Sequence, residues 1–377
     1  MVELLPEGEK VVQVALKIWR YDPKSGERRL REYEVDAPEW ATLLDVLDIV
    51  KDRHDGTLSY RKSCRMMICG SCGMRMDGGA VLACKTRMYD IAQAGHVPVI
   101  SPMGNLPVIK DLAVDMGPFW SKIRAMKPWL QTGYEEIPET EFTVSPHGMD
   151  PIKKESLCIM CGCCVSECNS LESDPEFLGP AALAKGFRFV GDPRDRADVE
   201  RLEAYSEEHG IWDCTRCYFC TQRCPKGVDP RDAIAKLGAE AMKHGIDRDM
   251  GARHAKWFVH SARTTGWLRE TELVPKTQGI VKSLKELPFA LSLARRGKVP
   301  RPFPPHVAAD VKEARLLYDV VKSQDRGGAA GHVQGEKALI HLEHYEGGAA
   351  GERDPYGPGS FPKPYLPETD TDGGTPQ

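Results

Sequence analysis

Long hydrophobic runs and a surplus of one charge are both missing from this 377-residue sequence. No window approaches the roughly 18 consecutive apolar residues of a membrane-spanning helix, so we expect no transmembrane segment. No basic region precedes an apolar stretch at the N-terminus, and we therefore expect no secretory signal. The balance of 51 basic against 55 acidic residues argues against a polybasic nucleic-acid-binding protein.

Motifs that mark substrate chemistry are absent as well. The sequence contains no glycine-rich dinucleotide fingerprint, no nucleophile elbow and no phosphate-binding loop. With 41% hydrophobic and 28% charged residues, it still has the composition of a folded protein of two or three domains. These features favour a carrier whose substrate chemistry lies in another chain.

Cysteine is what the sequence has in unusual number and order. Thirteen cysteines fall into three groups, at 64, 69, 72 and 84, at 158, 161, 163, 164 and 168, and at 214, 217, 220 and 224. Their density is well below the roughly 8–10% of a disulfide-rich scaffold. Clustered cysteines in a reducing compartment more often bind metal than form disulfides, so we expect metal sites.

The first group has the spacing Cys64-x4-Cys69-x2-Cys72 and is followed by Cys84. Three thiolates in one tight loop and a fourth from a nearby strand meet the needs of a 2Fe–2S cluster. Gly70 lies between ligands, where it lets backbone N–H groups turn toward the cluster. A four-cysteine zinc site is the alternative. Zinc ligands usually come as two separated Cys-x2–4-Cys pairs, so we predict the iron–sulfur cluster.

The second and third groups share the spacing Cys-x2-Cys-x2-Cys-x3-Cys of bacterial ferredoxins. In such paired runs the first three cysteines bind one cluster and the fourth binds the other. One 4Fe–4S cluster is therefore assigned to Cys158, Cys161, Cys164 and Cys224. The third cluster is assigned to Cys168, Cys214, Cys217 and Cys220. Three clusters in one chain would pass single electrons between a donor and an acceptor, and we predict no catalytic residue.

Two residues depart from the ferredoxin pattern. Cys163 is surplus, and we predict a buried free thiol beside the cluster, with substitution for Cys164 as the alternative. Asn169 follows Cys168 at a position where proline is usual.

Periodicity along the chain predicts an α+β protein. Two alternating strands, near residues 12–18 and 31–35, precede a helix that Thr42 is expected to cap with Asp45. We predict an α+β domain with the 2Fe–2S cluster over 1–105 and a connector over 106–150. We predict an α-helical domain with two cubane-type clusters over 151–245. It is followed by a helical extension over 246–323 and a Gly/Pro-rich tail over 324–377.

Two charged segments are interpreted as surface features. Residues 280–296 have an amphipathic pattern with a basic end at Arg295-Arg296-Gly297-Lys298. We predict a helix there, packed on its own domain or on a partner subunit, with a membrane-surface helix as the alternative. Residues 192–201 interleave acidic residues with arginine and are predicted to form a solvated, ion-paired surface.

Over roughly residues 10–240 the sequence resembles the iron–sulfur subunit of succinate dehydrogenase and fumarate reductase. The motifs that carry the resemblance are SCRMMICGSCG at 63–73, VIKDLAVDM at 108–116, DPEFLGP at 174–180 and CPKG at 224–227. The resemblance implies a ferredoxin-like β-grasp domain followed by an α-helical, bis-cluster ferredoxin-like domain. It also implies a flavoprotein partner that carries FAD and oxidises succinate or reduces fumarate. Electrons would then run from flavin through the 2Fe–2S centre, the first cubane and the third cluster to a quinone or another acceptor.

The third cluster departs from this family. Its usual member lacks a cysteine at the position of Cys217 and holds a 3Fe–4S centre there. Because Cys217 fills that position, we predict a second 4Fe–4S cluster, with 3Fe–4S as the alternative. Quinone-reducing members place proline and tryptophan after the cysteine matching Cys168, and a histidine after the one matching Cys214. Asn169 and Thr215 follow these cysteines here, so the usual quinone pocket does not carry over.

The segment after residue 240, which includes Gly251-Ala252-Arg253-His254-Ala255, resembles the C-subunit of heterodisulfide reductases. This favours a cysteine-rich acceptor subunit over a haem-bearing membrane anchor as the terminal partner. We therefore expect an electron-transfer subunit of a succinate:quinone oxidoreductase, located peripherally on the cytoplasmic face of the cell membrane. One alternative is a subunit of another flavin-linked complex, related to heterodisulfide reductase or glycolate oxidase. The other is a zinc-stabilised interaction module.

Overall fold

The computed structural model describes residues 10–133, 139–298 and 307–327 of the chain. Strands dominate the N-terminal part and helices dominate the rest, so the predicted α+β class is confirmed. Residues 328–377, which make up nearly all of the predicted tail, lie outside the described residues.

The N-terminal part is built on a mixed sheet. Its strands are β1 (Val11–Tyr21), β2 (Arg28–Pro38), β3 (Gly73–Met76), β4 (Gly79–Leu82) and β5 (Val99–Ser101). They lie in the order β2-β1-β5-β3-β4, with β1 and β5 parallel and the other neighbours antiparallel. Two helices, α1 (Leu43–Ile49) and α2 (Tyr89–Gln93), accompany this sheet.

Alternation in β1 explains how the sheet is anchored. Val14, Leu16 and Ile18 are almost completely buried on one face, and Leu16 pairs with Tyr33 across the β1–β2 ladder. Period-two burial of this kind fixes the register, because a shift of one residue would move every apolar side chain to the wrong face. The two predicted strands are therefore confirmed, each extended by several residues.

The predicted cap of α1 is also confirmed. Thr42 Oγ1 accepts a hydrogen bond from the Asp45 backbone N–H, and the Asp45 carboxylate accepts one from the Thr42 N–H at 3.0 Å. This reciprocal capping box satisfies two donors that the first helical turn leaves unpaired. The helix then presents Leu43, Leu44 and Leu47 to the same core as β1.

A buried ion-pair network attaches the connector to the sheet. A short hairpin, β6 (Val108–Lys110) and β7 (Ala113–Val114), contains Asp111 at its turn. The Asp111 carboxylate accepts hydrogen bonds from Arg20 Nε at 2.9 Å and from the Ser59 N–H at 2.9 Å. Arg20 also pairs with Asp55 at 2.5 Å, and all three charged side chains are at least nine-tenths buried.

Helices form the connector and the second part of the chain. They are α3 (Gly117–Ala125), α4 (Pro146–Met149), α5 (Lys153–Ser156), α6 (Cys163–Ser166), α7 (Asn169–Ser173), α8 (Pro180–Val190), α9 (Asp198–Tyr205), α10 (Phe219–Gln222) and α11 (Pro230–Lys243). Helices α8 and α11 pack against each other through a core that includes Leu183, Phe187, Ile234 and Leu237.

The prediction of a solvated, ion-paired surface at residues 192–201 was right for Arg196 and Glu200, which are exposed, and wrong for three other charged residues. Asp192 and Asp195 are fully buried, and Arg201 is 2% exposed. Arg201 donates to the carbonyl oxygens of Met126 and Trp129, at 2.7 and 2.8 Å, as well as to Asp195. The pair of Asp195 with Arg201 is buried because the connector loop that contains Met126 and Trp129 covers it.

The C-terminal helices are α12 (Met250–Thr265), α13 (Glu270–Gln278), α14 (Ile280–Lys285), α15 (Leu287–Arg295) and α16 (Val311–Gly327). The helix predicted at 280–296 is divided into α14 and α15. Pro288 lies in the first turn of α15, where its missing N–H and its ring favour a helix start over a helix interior. Among the described residues, no helix combines the length and hydrophobicity that crossing a membrane requires.

We predict that Arg201→Ala destabilises the fold by about 3–5 kcal/mol, because it leaves Asp195 as a buried, unpaired charge. Urea unfolding of the anaerobic holo-protein, followed by far-UV circular dichroism, measures this. Lys127→Ala is the matched control. It removes an exposed ion pair between the connector loop and Glu200 of α9, and it should leave the unfolding midpoint nearly unchanged because solvent screens such a pair. Equal unfolding midpoints for the two variants would contradict a structural role for the buried network.

Candidate iron–sulfur sites

The loop before β3 carries three of the predicted 2Fe–2S ligands and wraps around the Cys64 thiol. Its Sγ accepts hydrogen bonds from the backbone N–H groups of Met66, Ile68 and Cys69, at 3.4, 3.3 and 3.2 Å. Cys69 Sγ accepts from the N–H groups of Cys64 and Ser71, each at 3.5 Å. Backbone donors aimed at sulfur favour the thiolate form that iron requires.

Cys72, directly before β3, and Cys84, in the turn after β4, complete this first set. Cys72 is 4% exposed, forms a side-chain hydrogen bond with Cys84 and lies near Cys69. Burial raises the pKa of Cys72 to about 12, whereas the hydroxyl of Ser71 lowers the pKa of Cys69 to about 6. The structure thus brings all four predicted thiols of the first set together.

The second predicted set lines one cavity, between the loop before α6 and the loop before α11. Its thiols are those of Cys158, Cys161, Cys164 and Cys224. The remaining wall is largely apolar and includes Ala181 and Ala184 of α8, together with Pro225. Burial raises the pKa of Cys158 and raises that of Cys164 well above its usual range. A largely apolar cavity with four thiols on its wall has the donor set that a 4Fe–4S cluster needs.

The third predicted set gathers around the start of α10. It comprises Cys168, Cys214, Cys217 and Cys220. Cys168 lies close enough to Cys214 and Cys217 for their thiolate charges to repel each other. Cys220 likewise lies within reach of the charges of all three other thiols. Burial raises the pKa of Cys168 and of Cys214, and raises that of Cys220 to about 12.

The two ferredoxin runs repeat one backbone conformation. The residue before the second cysteine is left-handed in both runs, with φ 53° at Met160 and 57° at Arg216. The residue after that cysteine is left-handed as well, with φ 84° at Gly162 and 68° at Tyr218. A non-glycine residue rarely adopts the left-handed conformation. Its occurrence at both Arg216 and Tyr218 therefore indicates that the fold of this loop requires it. Cys217 therefore occupies the same place in its loop as Cys161.

Cys163 is a buried thiol, as its surplus position led us to predict. It is 0% exposed and packs with the core of the N-terminal sheet rather than with the helical core. Its thiol donates to Cys161, which lowers the pKa of Cys161 and raises that of Cys163. Cys164 keeps its place on the cavity wall, so nothing in the geometry requires Cys163 to replace it.

The two departures from the usual quinone pocket lie side by side next to the third set. Asn169 begins α7 directly after Cys168, and Ser170 follows it. Ser170 Oγ donates to the Asp213 carbonyl oxygen at 2.9 Å and accepts from the Thr215 N–H at 3.2 Å. The buried Ser170 thus holds the two segments side by side, with Asn169 and Thr215 exposed.

Sequence reasoning missed the contact between the first two sets. A Cβ atom at Gly70 would lie 2.8 Å from the Cα and Cβ of Cys161 and 3.1 Å from the Ile159 carbonyl oxygen. Gly70 also has φ 71°, which glycine adopts without strain. The Cys-Gly pattern hinted at a tight turn, but the partner loop is distant in sequence and no local signal identifies it.

A carboxylate–histidine group was also missed. His209 lies between Asp174 and Glu176, with ring nitrogen to carboxylate distances of 2.7 and 3.0 Å. The hydrogen bond with Asp174 raises the pKa of His209. Because both ring nitrogens contact carboxylates, this group is arranged as an ion-paired triad rather than as a metal site.

Comparisons with known proteins agree with this geometry. Residues 15–121 match the model of the 2Fe-2S iron-sulfur cluster binding domain, and residues 155–228 match that of the 4Fe-4S dicluster domain. The chain is 41% identical over 241 residues to the fumarate reductase iron-sulfur subunit of Mycobacterium tuberculosis. That match covers 63% of this chain and 96% of the relative.

Two further proteins extend the comparison. The 8-methylmenaquinol:fumarate reductase iron-sulfur subunit of Wolinella succinogenes is 33% identical over 285 residues, which cover 74% of this chain and 89% of the relative. A chain of the Mycobacterium smegmatis Sdh1 complex in the apo form shares the fold, with a TM-score of 0.58 and 23% identity. That match covers 63% of this chain and 99% of the other.

The matches cover most of each relative, and both the 2Fe–2S and the 4Fe–4S domain models match this chain. Together they identify its family. This chain belongs to the iron–sulfur subunits of succinate dehydrogenase and fumarate reductase, and its role is electron transfer within such an oxidoreductase.

Proposed function

We propose that this chain connects an FAD-containing flavoprotein, which interconverts succinate and fumarate, with a quinone or a membrane-associated acceptor subunit. The observation that carries the proposal is that every cysteine except Cys163 falls into three neighbouring sets of four. When bound to these sets, iron–sulfur clusters supply one-electron carriers. The ligands are those predicted from the sequence, Cys64, Cys69, Cys72 and Cys84, then Cys158, Cys161, Cys164 and Cys224, then Cys168, Cys214, Cys217 and Cys220.

The second set lies between the other two. Gly70 of the first loop contacts Cys161 of the second set directly. On the other side, Cys164 lies within electrostatic range of Cys220, and α6 packs on α10. The sites are therefore arranged in the order 2Fe–2S, first cubane, third cluster, which supports a single path through the chain.

Each end of this path reaches the surface. At the first set Met66 is 70% exposed and Ile68 is 57% exposed, beside an exposed Cys69. At the third set Tyr218 and Phe219 are exposed next to Cys217. Exposed apolar side chains next to a redox site suit a docked partner, so we propose that a partner docks at each edge. The electron order that the family resemblance implies assigns the first edge to the flavoprotein and the second to the acceptor.

The third set is proposed to hold 4Fe–4S rather than 3Fe–4S. The loop around Cys217 repeats the left-handed residues that frame Cys161 in the first cubane site. Cys217 lies within electrostatic range of Cys168, Cys214 and Cys220, so four thiols converge there. Four thiolates match the four irons of a cubane.

The acceptor is proposed to differ from a standard quinone pocket. Asn169 and Thr215 are exposed beside the third set, and the buried Ser170 joins their two segments through its hydrogen bonds. The Wolinella relative is named for 8-methylmenaquinol and fumarate. We therefore propose a quinone pool as the distant redox partner, reached through a membrane anchor or a cysteine-rich subunit, and a peripheral location on the cytoplasmic face of the membrane.

We expect the native complex to contain a flavoprotein, and we expect succinate to bleach the visible absorbance of this chain's clusters. Purification under anaerobic conditions, subunit identification and an iron and sulfide count test this. Bleaching by a different substrate alone would favour another flavin-linked complex. A colourless chain with zinc and no acid-labile sulfide would favour the zinc-stabilised module.

We expect Cys217→Ser to remove one iron per chain and to convert the third cluster to 3Fe–4S. An oxidised 3Fe–4S cluster has an unpaired electron and an oxidised 4Fe–4S cluster has none, so EPR of the oxidised protein should gain a signal. Cys163→Ser is the matched control and should change neither the iron count nor the spectrum. A 3Fe–4S signal that the oxidised parent protein already shows, and that Cys217→Ser leaves unchanged, would show that Cys217 is a bystander thiol.

We expect Gly70→Ala to slow electron transfer between the first two sites severalfold, because the added Cβ must push the Cys161 loop away. Flash reduction of the holo-protein, read at wavelengths specific to each cluster, measures the rate. Gly78→Ala is the control, since Gly78 has a similar φ of 78° and open space around it. A rate that falls equally in both variants would point to backbone strain rather than to the loop contact.

A further inference from the structure

The helices α14 and α15 leave an apolar stripe in solvent. Ile280 and Leu284 are 74% and 61% exposed, and Leu287 and Leu291 are 48% and 51% exposed. Their spacing of i, i+4, i+7 and i+11 places the four side chains along one side of the two helices. Glu286 joins the helices in a helical conformation, φ −84° and ψ −6°, so the stripe continues across the junction.

This stripe needs a cover. Helices shorter than about 12–15 residues are marginal in water, and most of their stability comes from packing of the apolar face. Helix α14 packs on α13, and α15 follows α14, but no side chain of α14 or α15 is buried. Contiguous exposed apolar surface of this kind marks a site of interaction.

The charge of the segment selects the partner. Residues 280–298 contain the single acid Glu286 and five bases, Lys282, Lys285, Arg295, Arg296 and Lys298. The whole chain has a net charge of −4, so this positive segment is a local exception. An apolar stripe combined with a basic polar side is the pattern of helices that lie in the interface of an anionic membrane.

We infer that α14 and α15 lie in the headgroup region of a bilayer that contains anionic lipid, with Ile280, Leu284, Leu287 and Leu291 toward the acyl chains. The inference rests on the peripheral location proposed above, and it identifies the segment of this chain that attaches to the membrane. The third set is held by a separate part of the fold, so binding to lipid is measured independently of electron transfer.

Helix α16 provides a matched contrast. Leu316 and Leu317 are 65% and 69% exposed, as much as the leucines of α14 and α15. Residues 311–320 of α16 carry Lys312 and Arg315 against Glu313 and Asp319, so the charges balance there. If exposure alone decided lipid binding, the leucines of α16 would bind as well as those of α14 and α15. If basic charge is also needed, only the leucines of α14 and α15 bind.

The test is flotation of the full-length holo-protein with two kinds of vesicle, phosphatidylcholine alone and an equimolar mixture of phosphatidylcholine and phosphatidylglycerol. We expect tighter binding to the mixed vesicles and weakening by salt. The double variant Leu284→Gln with Leu287→Gln should lower the partition coefficient by at least about tenfold, and Leu316→Gln with Leu317→Gln should leave it unchanged. Visible absorbance of the clusters verifies folding of each variant.

Three results would overturn the inference. They are binding to neither vesicle, equal binding to both, and equal loss in the two double variants. Loss of a co-purifying protein subunit in the Leu284 and Leu287 variant, without vesicle binding by the parent, would assign the stripe to a protein partner instead. A chain that binds vesicles but is not reduced by the flavoprotein with succinate would refute the proposed function and leave the lipid surface in place.

Discussion

The fold of this chain depends on the cost of holding many thiols close together away from water. Charge repulsion and lost hydration both oppose ionisation of neighbouring buried thiols, and burial accordingly raises the pKa of Cys158, Cys168 and Cys214. Iron binds the thiolate form, so cluster assembly releases protons from these sites and offsets the repulsion. The cluster-loaded protein is therefore the state for which the two cores are built.

Several contacts join the N-terminal sheet and the segment after it to the helical part of the chain near α6. Arg75 of β3 donates to Ser166 Oγ at 3.0 Å and to Glu167 at 2.9 Å, both at the end of α6. Asn105 donates to the carbonyl oxygens of Val165 and Cys168, at 2.8 and 2.9 Å. Together with the approach of Gly70 to Cys161, these contacts join the two parts of the chain directly.

Local signals in the sequence were enough to predict the strands, the Thr42 cap and the groups of thiols that the fold brings together, because each depends on residues a few positions apart. Features that depend on distant contacts were missed. The charges of Asp192, Asp195 and Arg201 suggested a surface, since no sequence pattern shows that the connector covers them. The approach of Gly70 to Cys161 joins loops that are far apart in sequence.

The exchange of ligands between the two ferredoxin runs has a consequence for biosynthesis. Under the proposed assignment, a nascent chain that has emerged as far as α8 has three thiols for the first cubane and lacks Cys224. The third set has only Cys168 at that stage, so neither cubane can close until the ribosome has passed the second run. The first set is complete at Cys84, and the 2Fe–2S centre is thus the first site open to loading during translation.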